Sequence, residues 1–518
     1  MPRSPSDLDF PAATMRKLGR QAVAMVARHV TGLRSGRVGH TGTRSEMRTL
    51  FEEPAPRRGR APEALLRRIE RQVMKYSLPA HHPRFFGFIP SGACFPGVLG
   101  DLLASGFNVF NGTWMEAPGP AQIELTVLEW FRQWLGMPAT AGGVLLSGGS
   151  AANLTALVAA RETAMAGGQR RLRERAILYF SEQAHSSVER AARVLDIPAA
   201  RQRPVKTDAW FRLSMPALAE RVAADRRRGL RPWCVVANAG STNTGSIDPL
   251  LELARFCRRE RLWLHVDAAY GGFAILTRRG RSLLRGIGGA DSITLDPHKW
   301  LFAPYDVGCL LVRDRRQLRH AFTIHPEYLQ DIRSEEEEVN FYEYCTQLTR
   351  AFRALKVWLT VQTYGTDRLG AVIEGSIDMA LRAEARLAAS PAFEILSPAS
   401  LGIVCFRYLP KKLRPARLPH EARRHAPRDS RRLVDPRALG RSALGWGAFS
   451  RPAAEEALLR RANEAIVREV QERARVFFTS TILRGRYALR LCILSHRTRW
   501  SDVELAIREI ERAARRLA

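Results

Sequence analysis

Lysine is scarce in this chain: only seven of its 81 lysine-plus-arginine residues are lysines. Long hydrophobic runs are missing too. No stretch of about 18 uninterrupted apolar residues occurs, which excludes an ordinary membrane-spanning helix. The first residues include Arg3, Asp7, Asp9, Arg16 and Lys17. They leave no apolar core for a secretory signal, so none is expected. The seven cysteines, at positions 94, 234, 257, 309, 345, 405 and 492, are scattered, odd in number and never in a CxxC pair. That pattern fits reduced thiols in a cytoplasmic protein and offers no metal site. Internal repeats, a P-loop lysine and a GxGxxG spacing are also missing.

What is present is ordinary in bulk and unusual in charge. The chain is 46% hydrophobic and 25% charged, as soluble globular proteins are, yet its formal net charge is +30. Residues 411–452 hold 12 Lys/Arg against 3 Asp/Glu, so one Pro/Arg-rich segment supplies +9 of that excess. The rest is dispersed over helical patterns such as Arg67-Arg68 and Arg226-Arg227-Arg228, without interleaved aromatics. A specific nucleic-acid partner is therefore not expected, although non-specific polyanion binding at low salt is.

With 518 residues the chain can bury a large core and a second, smaller one. Residues 1–80 read as a peripheral helical segment, with helices over 11–30 and from Pro62 to about 76. From 81 to 372, apolar strand patterns at 143–146, 176–180, 234–237, 262–266, 292–295 and 308–312 alternate with helical ones such as 151–166 and 249–260. That rhythm predicts an α/β fold, a mainly parallel sheet with helices on both faces. Residues 373–518 read as a smaller α+β domain with a strand pair (402–408 and 487–493) and a closing helix (501–517). The segment 411–452 interrupts it as an expected disordered insertion.

The scarce residue is the informative one. Lys299 follows an apolar strand, 32 positions after Asp267 at the end of another. A lysine amine can form an imine with an aldehyde cofactor, which an always-charged arginine cannot. A nearby carboxylate can keep a pyridine nitrogen protonated, so that the ring accepts electrons. That pairing is what pyridoxal phosphate (PLP) requires. Between a strand and a helix lies Leu146-Ser-Gly-Gly-Ser-Ala-Ala-Asn153, where Gly149, Ser150 and free helix-start N–H groups suit a phosphate. His185 follows the 176–180 strand, and a polar loop runs from Gly240 to Gly245. Each feature alone is weak. Together they fall at strand ends, which in an open α/β sheet converge on one crevice.

Several runs carry a family resemblance: His82-Pro-Arg-Phe-Phe-Gly-Phe88, Ser147-Gly-Gly-Ser-Ala-Ala-Asn153, His185-Ser-Ser-Val-Glu189, Leu264-His-Val-Asp-Ala-Ala-Tyr270, Asp296-Pro-His-Lys-Trp300 and Arg484-Gly-Arg-Tyr-Ala-Leu-Arg490. In these the chain resembles the group II PLP-dependent amino-acid decarboxylases, which include the aromatic-L-amino-acid, glutamate and cysteine-sulfinate enzymes. The resemblance implies the type I PLP-dependent transferase fold with a seven-stranded sheet, and a homodimer with active sites at the subunit interface. It makes Lys299 the Schiff-base lysine and Asp267 the partner of the pyridinium. His185 and Ala269 would lie against opposite ring faces, and Gly149, Ser150 and His298 would hold the phosphate. Thr242 would contact the ring hydroxyl or imine region. Tyr328 would sit on a mobile loop and protonate the substrate α-carbon after CO₂ leaves.

By the same resemblance, Phe88, Ile89, Pro90 and Ser91 form the side-chain pocket, with Phe110 in a segment that reaches the partner's site. An apolar, aromatic-lined pocket suits an aromatic L-amino acid, giving its amine and CO₂. An aldehyde synthase or an acidic amino-acid decarboxylase is the near alternative. A basic scaffold or nucleic-acid-binding protein without catalysis is the distant one, and it would be expected to have lost Lys299, Asp267 or His185. Departures from the family pattern are Gly112, where aromatic decarboxylases carry a bulky residue, Ala121 in place of a hydroxyl residue, and Cys345 where bacterial relatives have glycine.

Overall fold

The computed structural model describes residues 8–39, 41–89, 92–165, 175–324, 338–414 and 451–516. The calls for Tyr328, Pro90 and Ser91, and for most of 411–452, lie outside the described residues.

At the N-terminal end, α1 (Ala12–Gly32), α2 (Arg44–Phe51) and α3 (Pro62–Arg68) precede the first strand. Thr43 starts α2 with a reciprocal capping box to Glu46, and Pro62 starts α3 with its fixed φ. The helix expected from Pro62 to 76 changes character on the way, continuing as a wide turn over Ile69–Val73 and a tight one over Met74–Tyr76. None of α1, α2 or α3 buries a residue. Two further helices, α4 (Phe95–Gly106) and α5 (Pro118–Leu135), then lead into the sheet.

The strands in chain order are β1 (Phe85–Phe86), β2 (Gly142–Leu146), β3 (Ala176–Ser181), β4 (Gln202–Val205), β5 (Arg231–Asn238), β6 (Trp263–Asp267), β7 (Ser292–Leu295) and β8 (Gly308–Val312). Seven of them form one sheet in the order β2-β8-β7-β6-β5-β3-β4. Strands β7, β6, β5, β3 and β4 run parallel, while β8 is antiparallel to both β7 and β2. Two reversals restore the direction of β2, so its C-terminal end shares an edge with those of β3, β5, β6 and β7. Every residue of β3 and β6 is buried, as expected of strands covered on both faces. The helix after β2, α6 (Gly149–Ala164), presents buried Ala152, Ala156, Ala159 and Ala160. Such small side chains let it approach the sheet closely.

A second sheet has the order β1-β11-β12-β10-β9, with β9 (Phe393–Ser400), β10 (Ile403–Tyr408), β11 (Phe477–Leu483) and β12 (Arg486–Cys492). The expected pair at 402–408 and 487–493 is present as β10 and β12, antiparallel with Ile403 opposite Cys492. Helices Ala453–Arg473 and Trp500–Arg516 pack with it around a separate apolar core that includes Val404, Phe406, Ile466 and Ile507. The long helix Ala354–Ala388 contacts both α5 and β9 and breaks at Gly365, whose φ of 68° suits glycine.

One buried ion pair ties this frame to the site. Arg350 and Glu124 are both 0% exposed and 2.7 Å apart. Arg350 also donates to the carbonyls of Asn111 and Leu145, and Glu124 accepts from the Leu145 N–H and the Asn111 amide. The segment carrying Phe110 is thereby pinned to β2, one residue before the glycine turn begins. Removing one member of such a pair costs about 3–5 kcal/mol, because the other charge is left buried alone.

Candidate active site

Five strand ends meet at one cavity of about 380 Å³. From β2 and the start of α6 come Gly149, Ser150 and Asn153, and from the β3 end come His185 and Ser187. The β5 end supplies Asn238 and Thr242, the β6 end Asp267 and Ala269, and the β7 end Asp296, His298 and Lys299. All eight cofactor-contact residues expected from the sequence therefore line one space. Phe88, Ile89 and Phe110 are not among the lining residues. Phe88 is 58% exposed, and its carbonyl accepts from Arg490, which also donates to the Thr242 carbonyl. Gly112 has a local reason to be glycine: a Cβ there would stand 2.4 Å from the Phe110 ring.

The glycine turn fits a phosphate. A Cβ on Gly149 would stand 3.0 Å from Asp296 and 3.1 Å from the Ala269 methyl, so side-chain-free backbone is needed to keep the cradle open. Helix α6 begins at this point, with its first N–H groups facing the turn. His298 lies alongside, its Nδ1–H donating to the Val307 carbonyl at 2.7 Å. Burial holds its imidazole below the ordinary histidine value.

Asp267 is 8% exposed and belongs to a directed hydrogen-bond chain. The Trp263 indole donates to Ser292 Oγ at 2.8 Å, and Ser292 Oγ lies 2.8 Å from His265 Nδ1. His265 Nε2 lies 3.0 Å from Asn153 Oδ1, and the Asn153 amide donates to Asp267 at 2.8 Å and to Ser187 at 2.9 Å. Ser187 Oγ is 2.8 Å from His185 Nδ1. Burial pushes His265 down to about 4, against the pull of Asp267, so it is a neutral ring near pH 7. Since Asn153 Oδ1 can only accept, His265 carries its proton on Nε2 and accepts from Ser292 on Nδ1. Every donor then points towards Asp267 and His185. That orients the Asp267 carboxylate, which also accepts from the Ala269 N–H at 3.1 Å.

Lys299 Nζ lies 2.9 Å from Asp296 Oδ2. Burial works against its ammonium form, but the Asp296 carboxylate, and Asp267 further away, outweigh it and hold the amine above its usual value.

Asn153, Ser187, Asn238, His265, Ser292 and Asp296 were not singled out from the sequence. A signal existed for His265: strand alternation puts it on the same face of β6 as Asp267, towards α6. Asn153 lies one helical turn after Gly149, on the same side of α6.

A mainly parallel sheet that brings a lysine, a carboxylate and a glycine phosphate cradle to one cavity defines a PLP-dependent enzyme of the type I fold. Residues 45–409 match the pyridoxal-dependent decarboxylase conserved domain. The chain is 43% identical over 408 residues to the aromatic-L-amino-acid decarboxylase of Bacillus atrophaeus, covering 79% of this chain and 84% of that one. Its fold matches the crystal structure of Oryza sativa TDC with PLP and tryptamine, with a TM-score of 0.86, 27% identity and 100% coverage of both chains. It likewise matches the Catharanthus roseus tryptophan decarboxylase in complex with L-tryptophan, with a TM-score of 0.85, 26% identity and 100% coverage of both. The chain belongs to the pyridoxal-dependent decarboxylase family and is a PLP-dependent amino-acid decarboxylase.

Proposed function

We propose that the substrate is an aromatic L-amino acid, converted to its amine and CO₂. The observation that carries this reading is the shared cavity of Lys299 and Asp267, 32 residues apart in sequence. The aromatic preference is supported by the names of the relatives. It is also supported by the scarcity of positive charge: among the described lining residues Lys299 is the one lysine or arginine, so an acidic side chain would find no spare cation.

PLP, when bound, supplies an electron sink for the bond that breaks. The protein's own residues do the rest. Lys299 is the covalent anchor, and Asp267, oriented through Asn153, holds a proton on the ring nitrogen. Gly149, Ser150 and His298 take the phosphate. His185, held by Ser187, and Ala269 would lie against the two ring faces, and Thr242 would contact the ring hydroxyl or the imine region. Tyr328 is the proposed proton donor to the substrate α-carbon, with Phe88, Ile89, Pro90, Ser91 and Phe110 as the proposed side-chain pocket.

We place the second half of the pocket in a second copy of the chain. Helix α1 buries nothing and leaves Met15, Val23 and Val26 exposed, and Leu99, Leu102 and Phe107 are exposed on and beside α4. An apolar surface of this kind is expected to be covered by a partner. A cytoplasmic location is supported by the seven cysteines, all buried and unpaired. No helix among the described residues is long and apolar enough to cross a membrane.

The test is to incubate purified protein and PLP with the twenty amino acids and dihydroxyphenylalanine, measuring CO₂ and amine. Release of both from aromatic substrates supports the reading, and release only from glutamate or another acidic amino acid refutes the substrate assignment.

A further inference from the structure

A second cavity, of about 460 Å³, shares no lining residue with the first. It is a groove between β4, at the edge of the seven-stranded sheet, and the helix Met215–Arg227. The Ser214 hydroxyl starts this helix by accepting from the Ala217 N–H, and Pro216 suits its first turn. Leu218 and Val222 turn into the large core. Ala217, Arg221, Ala224 and Arg228 follow one another at the four-three-four spacing of a single helix stripe, and all four line the groove. The two alanines are too small to fill the space beside the strand. The groove therefore stays open, with the two arginines along it.

The other lining residues are Arg203, Lys206, Glu220 and Asp225. Arg203 and Asp225 are committed to each other. Asp225 is 2% exposed and accepts from the Tyr179 hydroxyl at 2.8 Å and from two Arg203 nitrogens at 3.2 Å each. Arg203 also donates to the Ala200 carbonyl at 2.7 Å, so its guanidinium is fixed. Lys206, Arg221 and Arg228 are exposed, and among the described residues their side chains have no hydrogen bond or ion pair. The backbone still fixes the position of Lys206, whose carbonyl accepts from the Ser214 N–H at 3.0 Å. Glu220 is the one opposing carboxylate without a partner among the lining residues, so the groove carries two positive charges in excess. Neighbouring arginines differ: Arg226 is paired with Glu260, and Arg212 with Asp208. The run Arg226-Arg227-Arg228 is thus divided by the helix, its first member neutralised and its last placed in the groove.

We propose that this groove binds a short chain of linked phosphates, held by Lys206, Arg221 and Arg228. Arginine presents paired N–H donors that match phosphate oxygens, and lysine adds a point charge. The stripe from 217 to 228 runs about 16 Å along the helix, more than a single phosphate needs. A ligand with an uncharged body has little to hold it, because the lining has no aromatic residue and no apolar side chain larger than alanine. A nucleotide base would lack a ring to stack on, and the apolar atoms of an acidic peptide would lack a pocket.

The experiment is calorimetric titration of the PLP-loaded protein, in which the glycine turn is already taken, with inorganic tripolyphosphate at about 0.15 M salt. One saturable site is expected, with orthophosphate at least about tenfold weaker. Lys206→Gln combined with Arg221→Gln and Arg228→Gln should weaken tripolyphosphate at least about tenfold. A control removes the same charge elsewhere: Arg461→Gln with Arg468→Gln and Arg512→Gln, all exposed on the helices Ala453–Arg473 and Trp500–Arg516. It should change the affinity less than about twofold, because distant surface charges are screened. Glu220→Gln should tighten binding about threefold, a gain that misfolding cannot imitate. No saturable site, equal losses in the two triple variants, or an unchanged affinity in Glu220→Gln would each overturn the proposal. ATP binding at least about tenfold tighter than tripolyphosphate, or oligoglutamate binding as tightly, would overturn the choice of a bare phosphate chain.

Discussion

The cofactor side and the substrate side of this enzyme are built differently. Gly149, Ser150, His185, Asp267, His298 and Lys299 come from strand ends of one sheet and line a single cavity within one chain. Phe88 is 58% exposed and Phe110 is half-buried, and both stand outside that cavity. The proposed cofactor contacts all come from one chain, and the proposed substrate contacts lie where the proposed partner would cover them. On the proposed reading the chemistry is held at the strand ends of the sheet, while selectivity is left to peripheral segments.

Variants should separate the two sides. The largest effect is expected from Lys299→Ala, which should abolish the imine absorbance and lower decarboxylation by at least about 10³-fold. Asp267→Asn should lower turnover by about 10²–10³-fold, since the ring nitrogen loses its counter-ion and one of the two donors to the side chain, the Asn153 amide or the Ala269 N–H, then faces an amide N–H. On the other side, Val23→Glu with Val26→Glu should convert a two-chain particle to one chain by light scattering. Decarboxylation should then drop at least about tenfold with little change in PLP absorbance, because all eight proposed cofactor contacts line the cavity of one chain. Equal loss of PLP binding and turnover would erase the distinction between the two sides. Tyr328→Phe should leave cofactor binding intact and divert product from amine towards aldehyde, and an unchanged product would reject its proton-donor role.

The smallest effect concerns acid. Burial pushes His81 and His82 down to about 4 and His496 to about 3, and His29 lies 2.7 Å from His81. These rings sit where the segment leading to Phe88 meets α1 and the end of β12. Their folded values are below the ordinary histidine value of about 6.5, so the unfolded chain binds more protons in between. Their contribution to stability is full above about pH 6.5 and is lost as pH falls towards about 4. The thermal midpoint should fall over that interval, and His82→Gln should flatten the fall.

The cofactor side was also the more legible in the sequence. Strands such as β3 and β6 are buried on both faces and read as short apolar runs, and the polar residue ending each run marks the crevice. Lys299, Asp267 and His185 were readable for that reason. The Asn153–His265–Ser292 chain was not, because it depends on α6 lying against β6, a tertiary contact that no local pattern announces. Asp296 was read as part of a motif rather than as a charge, since its significance comes from the 2.9 Å contact with Lys299. The turn at Ile69–Val73 was missed because its apolar spacing is still compatible with an α-helix. The proposed substrate side rests mainly on the family resemblance, because Phe88, Ile89 and Phe110 stand outside the cavity that the strand ends form.

The most direct test of the account is borohydride reduction of the PLP-loaded protein, followed by peptide mapping. A reduced pyridoxyl adduct on Lys299, and on none of the other six of the seven lysines, is the predicted result. An adduct at Lys206, Lys356 or another site in place of Lys299, or no adduct at all, would contradict it.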